Sequence, residues 1–204
     1  MIDWLIFVPA CFALNLAFGP NNLLAMTHGA QGGVLFAGRA ALGRLLVFVP
    51  MIAASALGLG LLLTASAAVF QGVKLIGAIY LIWIGWRLWR GAGRLRIDPR
   101  RVRVTPAAAF RAEALVALSN PKAILIFAAF FPQFVATEAY WQSYALLGGC
   151  FLLLEAVAIS AYALAGRSAA RVAGPRLSWM QRGSGAMMMV FGALLLVSPA
   201  PSQR

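Results

Sequence analysis

Read along its length, the chain alternates long apolar runs with short polar gaps, and most of the runs hold about eighteen residues or more with few charges. As a helix, a run of that length crosses a hydrocarbon core about 30 Å thick. Six spans can be drawn: Trp4 to Met26, Ala40 to Leu63, Ala67 to Leu88, Ala114 to Val135, Tyr144 to Ala165, and Gly183 to Val197. The pattern predicts an all-α membrane protein of six transmembrane helices, one domain over residues 1–204 with little left to fold outside the bilayer.

Composition narrows the function classes. Of 204 residues, 62% are apolar and 11% charged, against about 45–50% and 25% in soluble domains, so a soluble surface cannot be built. A net charge of +12 would suit a nucleic-acid partner. The Arg residues, however, sit in the gaps between apolar runs, and no extramembrane domain remains to carry recognition elements, so no nucleic acid is expected. Anchoring to anionic membrane lipids accounts for the basic stretch Arg87 to Arg111. Trp83, Trp86 and Trp89 at its start fit an interfacial belt. Cys11 and Cys150 fall inside apolar runs, where a thiol acts as a small hydrophobe. Asp3 replaces a basic n-region and no A-x-A site follows the first run, which reads as a retained first span. The sequence has no ATP-binding motif, phosphate loop or metal-ligand cluster. No cofactor is expected, and any transport would draw on an ion gradient.

Orientation follows from Lys and Arg. The connections after spans one, three and five hold fourteen: Arg39 and Arg44, eight between Arg87 and Arg111, and four between Arg167 and Arg182. The opposite side holds Lys74 and Arg204. That bias puts both termini outside the cytoplasm, which in a bacterial inner membrane would be the periplasm. Span one then enters from outside and span four from the cytoplasm, so the halves (about 1–90 and about 112–204, joined by a basic loop at about 90–111) become inverted three-helix repeats. Sequence echoes agree. Phe18-Gly19-Pro20-Asn21-Asn22-Leu23-Leu24 can be laid on Ser119-Asn120-Pro121-Lys122-Ala123-Ile124-Leu125, and Lys74 with Gly77-Ala78 on Arg182 with Gly185-Ala186.

Helices one and four are each broken at a proline flanked by Asn. Proline removes a backbone donor and frees carbonyls of the preceding turn. In lipid such backbone is tolerated only against protein or a water-filled cavity, so matched breaks in two repeats point to a binding site rather than to packing kinks. Lys122 follows the second break. An ammonium deep in a span costs about 2.5–3.5 kcal/mol even on the lenient insertion scale; it either meets a substrate carboxylate or snorkels to the headgroups. Glu155, mid-span in the fifth helix, is either a proton carrier or the structural partner of Lys122. Asn15 either adds an amide to the same cavity or bonds a neighbouring helix. His28, at the cytoplasmic end of span one, reads as an interfacial residue rather than a proton relay.

Gly19-Pro20-Asn21-Asn22-Leu23-Leu24 and Asn120-Pro121-Lys122-Ala123 resemble the LysE/RhtB family of bacterial amino-acid exporters. Leu75-Ile76-Gly77-Ala78-Ile79-Tyr80-Leu81 with Gly85 is similar to that family's third span, and Phe130-Phe131-Pro132-Gln133-Phe134-Val135 to the close of its fourth. One position departs: the family usually has Pro-Gly-Pro-Asn, and Phe18 stands in the first proline's place. The resemblance implies proton-driven export of a small amino-acid substrate or close derivative, by a protein that can be a homo-oligomer. The residues alone reach only a secondary transporter. The expected substrate-binding set is Asn15, Gly19, Pro20, Asn21, Asn22, Asn120, Pro121 and Lys122, with Glu155 for proton coupling. A single deep acid favours neutral amino acids over cationic ones. Two rivals remain: a membrane thiol–disulfide electron carrier using Cys11, whose repeat counterpart is Ala112, and a small-solute channel, for which no filter is visible.

Overall fold

The computed structural model describes residues 2–65, 67–92, 104–169 and 175–197, and every regular element among them is helical. In chain order these are α1 (Trp4–Leu16), α2 (Pro20–Ala65), α3 (Ala67–Arg90), α4 (Pro106–Leu118), α5 (Pro121–Leu125), α6 (Tyr140–Ala169) and α7 (Pro175–Val197). A π turn (Ile126–Phe130) and two 3-10 turns (Phe131–Phe134 and Thr137–Ala139) lead from α5 to α6. Among the described residues, Pro20–Gly58 and Thr137–Ser168 are long and apolar enough to cross a membrane. The pair Pro106–Leu118 and Lys122–Phe134, bent by 49°, makes a third candidate, and Trp4–Leu16 is apolar but shorter. The protein is a helical membrane protein. Arg94, Arg96, Arg100, Arg101, Arg103, Arg171 and Arg204, which carry part of the charge count, lie outside the described residues.

α2 has 46 residues but is not one rod. Gly33 inside it has φ 79° and ψ 179°, and Arg44 bonds the Asn21 carbonyl at 2.7 Å. Twenty-three residues of straight helix would hold those two about 34 Å apart. The chain therefore folds back at Gly33 into arms 20–32 and 34–65, a φ that glycine adopts without steric cost. This corrects the expected second span, which starts before Ala40. Arg44, counted with the connection although span two as drawn already contains it, lies inside the second arm and is 0% exposed. Without it the count is thirteen basic residues against two.

The start of α4 needs a similar correction. Thr105 accepts the Ala108 N–H at its side chain and Pro106 fills the first turn, a cap and a proline that open a helix well before Ala114. Glu113 then lies two turns inside the helix and is fully buried. The α2 hairpin packs on α4 and α6, and α3 packs on α7. At Gly43 an added Cβ would stand 2.3 Å from the Phe110 carbonyl oxygen. Backbone meets backbone there, which sets the neighbouring Arg44 against α4.

One end of the bundle is aromatic. Phe7, Phe48, Phe127, Phe130, Phe131 and Phe151 form one buried cluster, with Phe127 and Phe151 edge to face at 5.0 Å. The π turn occupies this layer, and the Ser55 hydroxyl donates to the Phe127 carbonyl there while the Tyr140 hydroxyl donates to that of Ala56.

Candidate functional site

α1 ends at Leu16 and α2 begins at Pro20; the Ala17 N–H reaches back to the carbonyls of Ala13 and Leu14, and the carbonyls after them have no partner within their own helix. Donors from elsewhere supply them. Lys122 Nζ donates to the carbonyls of Leu14 (3.1 Å) and Ala17 (2.9 Å). Asn22 Nδ2 donates to those of Asn15 (2.8 Å) and Ala17 (3.0 Å), and the Tyr162 hydroxyl to that of Leu16 (2.6 Å). The second break, at Ser119 and Asn120, is held locally. The Ser119 hydroxyl donates to the Leu115 carbonyl at 2.9 Å, and Asn120 Oδ1 accepts the Lys122 N–H at 3.0 Å. Asn120 Nδ2 donates to Asn21 Oδ1 at 2.8 Å, so the two breaks meet.

Beside them lies a buried ionic cluster. Arg44 presents Nε and Nη2 to Glu113 Oε2, each at 2.9 Å, and Nη1 to Glu155 Oε1 at 2.7 Å. Its remaining bonds go to Asn22 Oδ1 at 3.1 Å and the Asn21 carbonyl. Asn21 Nδ2 also donates to Glu113 Oε2 and the Glu113 carbonyl. Two carboxylates thus share one guanidinium whose planar fork suits bidentate pairing. Desolvation makes such a cluster expensive to build and more expensive to break. His28 is buried as well, with Nδ1 3.3 Å from Glu113 Oε1.

A cavity of about 420 Å³ opens against the joined breaks. Gly19, Pro20, Asn120 and Lys122 line one side, and Arg87 and Gly91 at the end of α3 line another. The Lys122 ammonium has three N–H donors, and two are spent on α1 carbonyls. Arg87 lies over the Trp83 ring, 4.8 Å from its centroid. The arrangement offers cationic and amide donors to a carboxylate, and apolar walls from Ile84, Leu88 and Met188 to its remainder.

The expected site residues therefore divide. Gly19, Pro20, Asn120 and Lys122 line the cavity, and Pro121 starts α5 beside it. Asn21 and Asn22 turn into the ionic cluster. Asn15 donates to the Phe151 carbonyl of α6 at 3.3 Å, a bond between helices. Lys122 does not snorkel; it is 8% exposed. Glu155 pairs with Arg44 rather than with Lys122, and it is not the only deep acid, since Glu113 is buried beside it. His28 is buried within the bundle. Arg44 and Glu113 were missed as site residues, although Thr105-Pro106 and the Gly32-Gly33 pair carried the signals that place both inside helices. Cys11 is buried and Cys150 half-buried, and both are free thiols.

Comparison with known proteins bears on the same chain. Residues 12–199 match the family of LysE type translocators. A homoserine/homoserine lactone efflux protein of Salmonella typhimurium is 33% identical over 201 residues, covering 94% of this chain and 95% of that one. An uncharacterised membrane protein of Vibrio cholerae is 30% identical, covering 97% and 98%. A leucine efflux protein of Klebsiella pneumoniae is 28% identical, covering 68% and 66%. No solved structure matches.

Proposed function

The chain belongs to the LysE type translocators, transporters rather than enzymes, and we propose that it exports neutral amino acids or close derivatives across a bacterial inner membrane in exchange for protons. One observation carries the substrate class: the Lys122 ammonium, buried at the junction of two broken helices, faces a cavity with Asn120 and Gly19. A carboxylate in that cavity would meet the ammonium and the positive end of α2 at Pro20. A cationic side chain would want a carboxylate as well, and both buried ones are held by Arg44. This keeps the preference for neutral substrates on a new footing, since two deep acids replace the single one expected. The Klebsiella relative, named for leucine efflux, supports that reading.

The inverted repeat belongs to the same reading, with both termini periplasmic. Support comes from the two breaks, each followed by a helix that restarts on proline, and from the pairing of α3 with α7. On that orientation the cavity, bounded by the end of α3 at Arg87 and Gly91, faces the cytoplasm where export begins, and the aromatic layer lies on the far side. Coupling would run through the buried cluster to which Glu155 belongs. The test is to load proteoliposomes with an amino-acid mixture and impose a pH gradient, acid on the receiving side. Selective loss of neutral amino acids is expected. Loss of cationic ones alone, or of none, contradicts the reading.

A further inference from the structure

We propose that Arg87 is the residue that first receives the substrate carboxylate, at the mouth of the cavity whose inner end is held by Lys122; this rests on the export function proposed above. Both cations line the same space of about 420 Å³. They differ in depth. Lys122 is 8% exposed, and two of its three N–H donors go to the carbonyls of Leu14 and Ala17. Arg87, in the last turn of α3, is exposed. A carboxylate entering from solvent therefore meets the guanidinium before it can reach the ammonium.

Arg87 is held in place without being neutralised. Its guanidinium lies over the Trp83 ring, 4.8 Å from the centroid, and Trp83 is itself backed by Tyr80, with ring centroids 5.2 Å apart. A ring face attracts the cation and offers no oxygen to its N–H groups. The ion pairs among the described residues are made by Arg44 and His28 rather than by Arg87. The planar fork therefore stays available for bidentate pairing with a carboxylate, which a point-charged ammonium cannot match. No acidic side chain among the described residues lines the cavity, so its two cations together draw an anion inwards. The neighbouring turn supplies a contrast. Arg90 lies over Trp86 at 5.2 Å with the same spacing of four residues, but it does not line the cavity. Anchoring to lipid headgroups would treat the two pairs alike, whereas receiving substrate requires Arg87 alone.

The test is counterflow of radiolabelled leucine or, where the loading experiment selects another neutral amino acid, of that one. Matched amounts of folded protein are placed in vesicles of phosphatidylcholine, which offer no anionic lipid to compete for the guanidinium. Arg87→Gln should raise KM about tenfold, the order expected for losing a charge-assisted hydrogen bond, and leave the maximal rate unchanged. Arg87→Lys should fall between the two, and Arg90→Gln should match the wild type. Added salt should raise the wild-type KM and move that of Arg87→Gln less, because salt screens an exposed charge far more than the buried Lys122. An unchanged KM in Arg87→Gln overturns the proposal, and so does an equal rise in Arg90→Gln. A fall in maximal rate with KM unmoved would make Arg87 a structural residue and overturn it as well. An effect that appears only after phosphatidylglycerol is added assigns Arg87 to lipid headgroups instead. If the wild type moves no amino acid, the export function fails and the role of Arg87 with it; an active wild type beside an unchanged KM sinks the role of Arg87 alone.

Discussion

The two helix breaks look alike in sequence and are built in opposite ways. At the first, after Leu16, the freed carbonyls are supplied by side chains more than a hundred residues distant, Lys122 and Tyr162, with Asn22 from the next helix. At the second, Ser119 and Asn120 cap their own chain. The first break is an acceptor surface completed by the rest of the bundle; the second is a self-contained turn that presents donors to it. A binding site at their junction thus depends on tertiary packing on one side and on local sequence on the other. Substitutions should separate the two.

The largest effect is expected at Arg44, which fixes the restart of the first break through the Asn21 carbonyl and Asn22 while neutralising two acids. Arg44→Met strands two buried carboxylates. Breaking such a pair costs about 3–5 kcal/mol, and fluorescence-detected gel filtration should show little folded protein. Gly43→Ala forces a Cβ against the Phe110 carbonyl, with about 1–3 kcal/mol for overpacking. A lowered thermal midpoint would register it, and full stability would refute the backbone contact that seats Arg44. Tyr162→Phe leaves the Leu16 carbonyl without its donor at about 1–3 kcal/mol, read in the same melt. Ser119→Ala should change stability by no more than about 0.5 kcal/mol, because Ser119 is exposed and backs only its own turn. Equal effects from Tyr162→Phe and Ser119→Ala would remove the distinction between the breaks.

Much of this was legible in the sequence. Apolar periodicity announced the helices, and proline beside asparagine announced both breaks at their observed places. The matching echo in the two halves drew attention to Lys122. What escaped was charge inside helices. Arg44 resembles a loop residue when Arg is counted by gaps, and only the turn at Gly33 reveals that it lies opposite Asn22. Glu113 falls just outside span four as drawn from Ala114, whereas the helix opens at Pro106. Partners at a separation of 69 residues, such as Arg44 and Glu113, leave no periodic trace. A lone histidine likewise gives no sign of burial until its neighbours are known.

The central claim is that a substrate carboxylate is received by Lys122 where the breaks join. Counterflow of a radiolabelled neutral amino acid should be compared in proteoliposomes holding matched amounts of folded wild-type, Lys122→Met and Ser119→Ala protein. The account predicts that wild type and Ser119→Ala exchange label at similar rates and that Lys122→Met does not exchange it. Counterflow by Lys122→Met at the wild-type rate would contradict it.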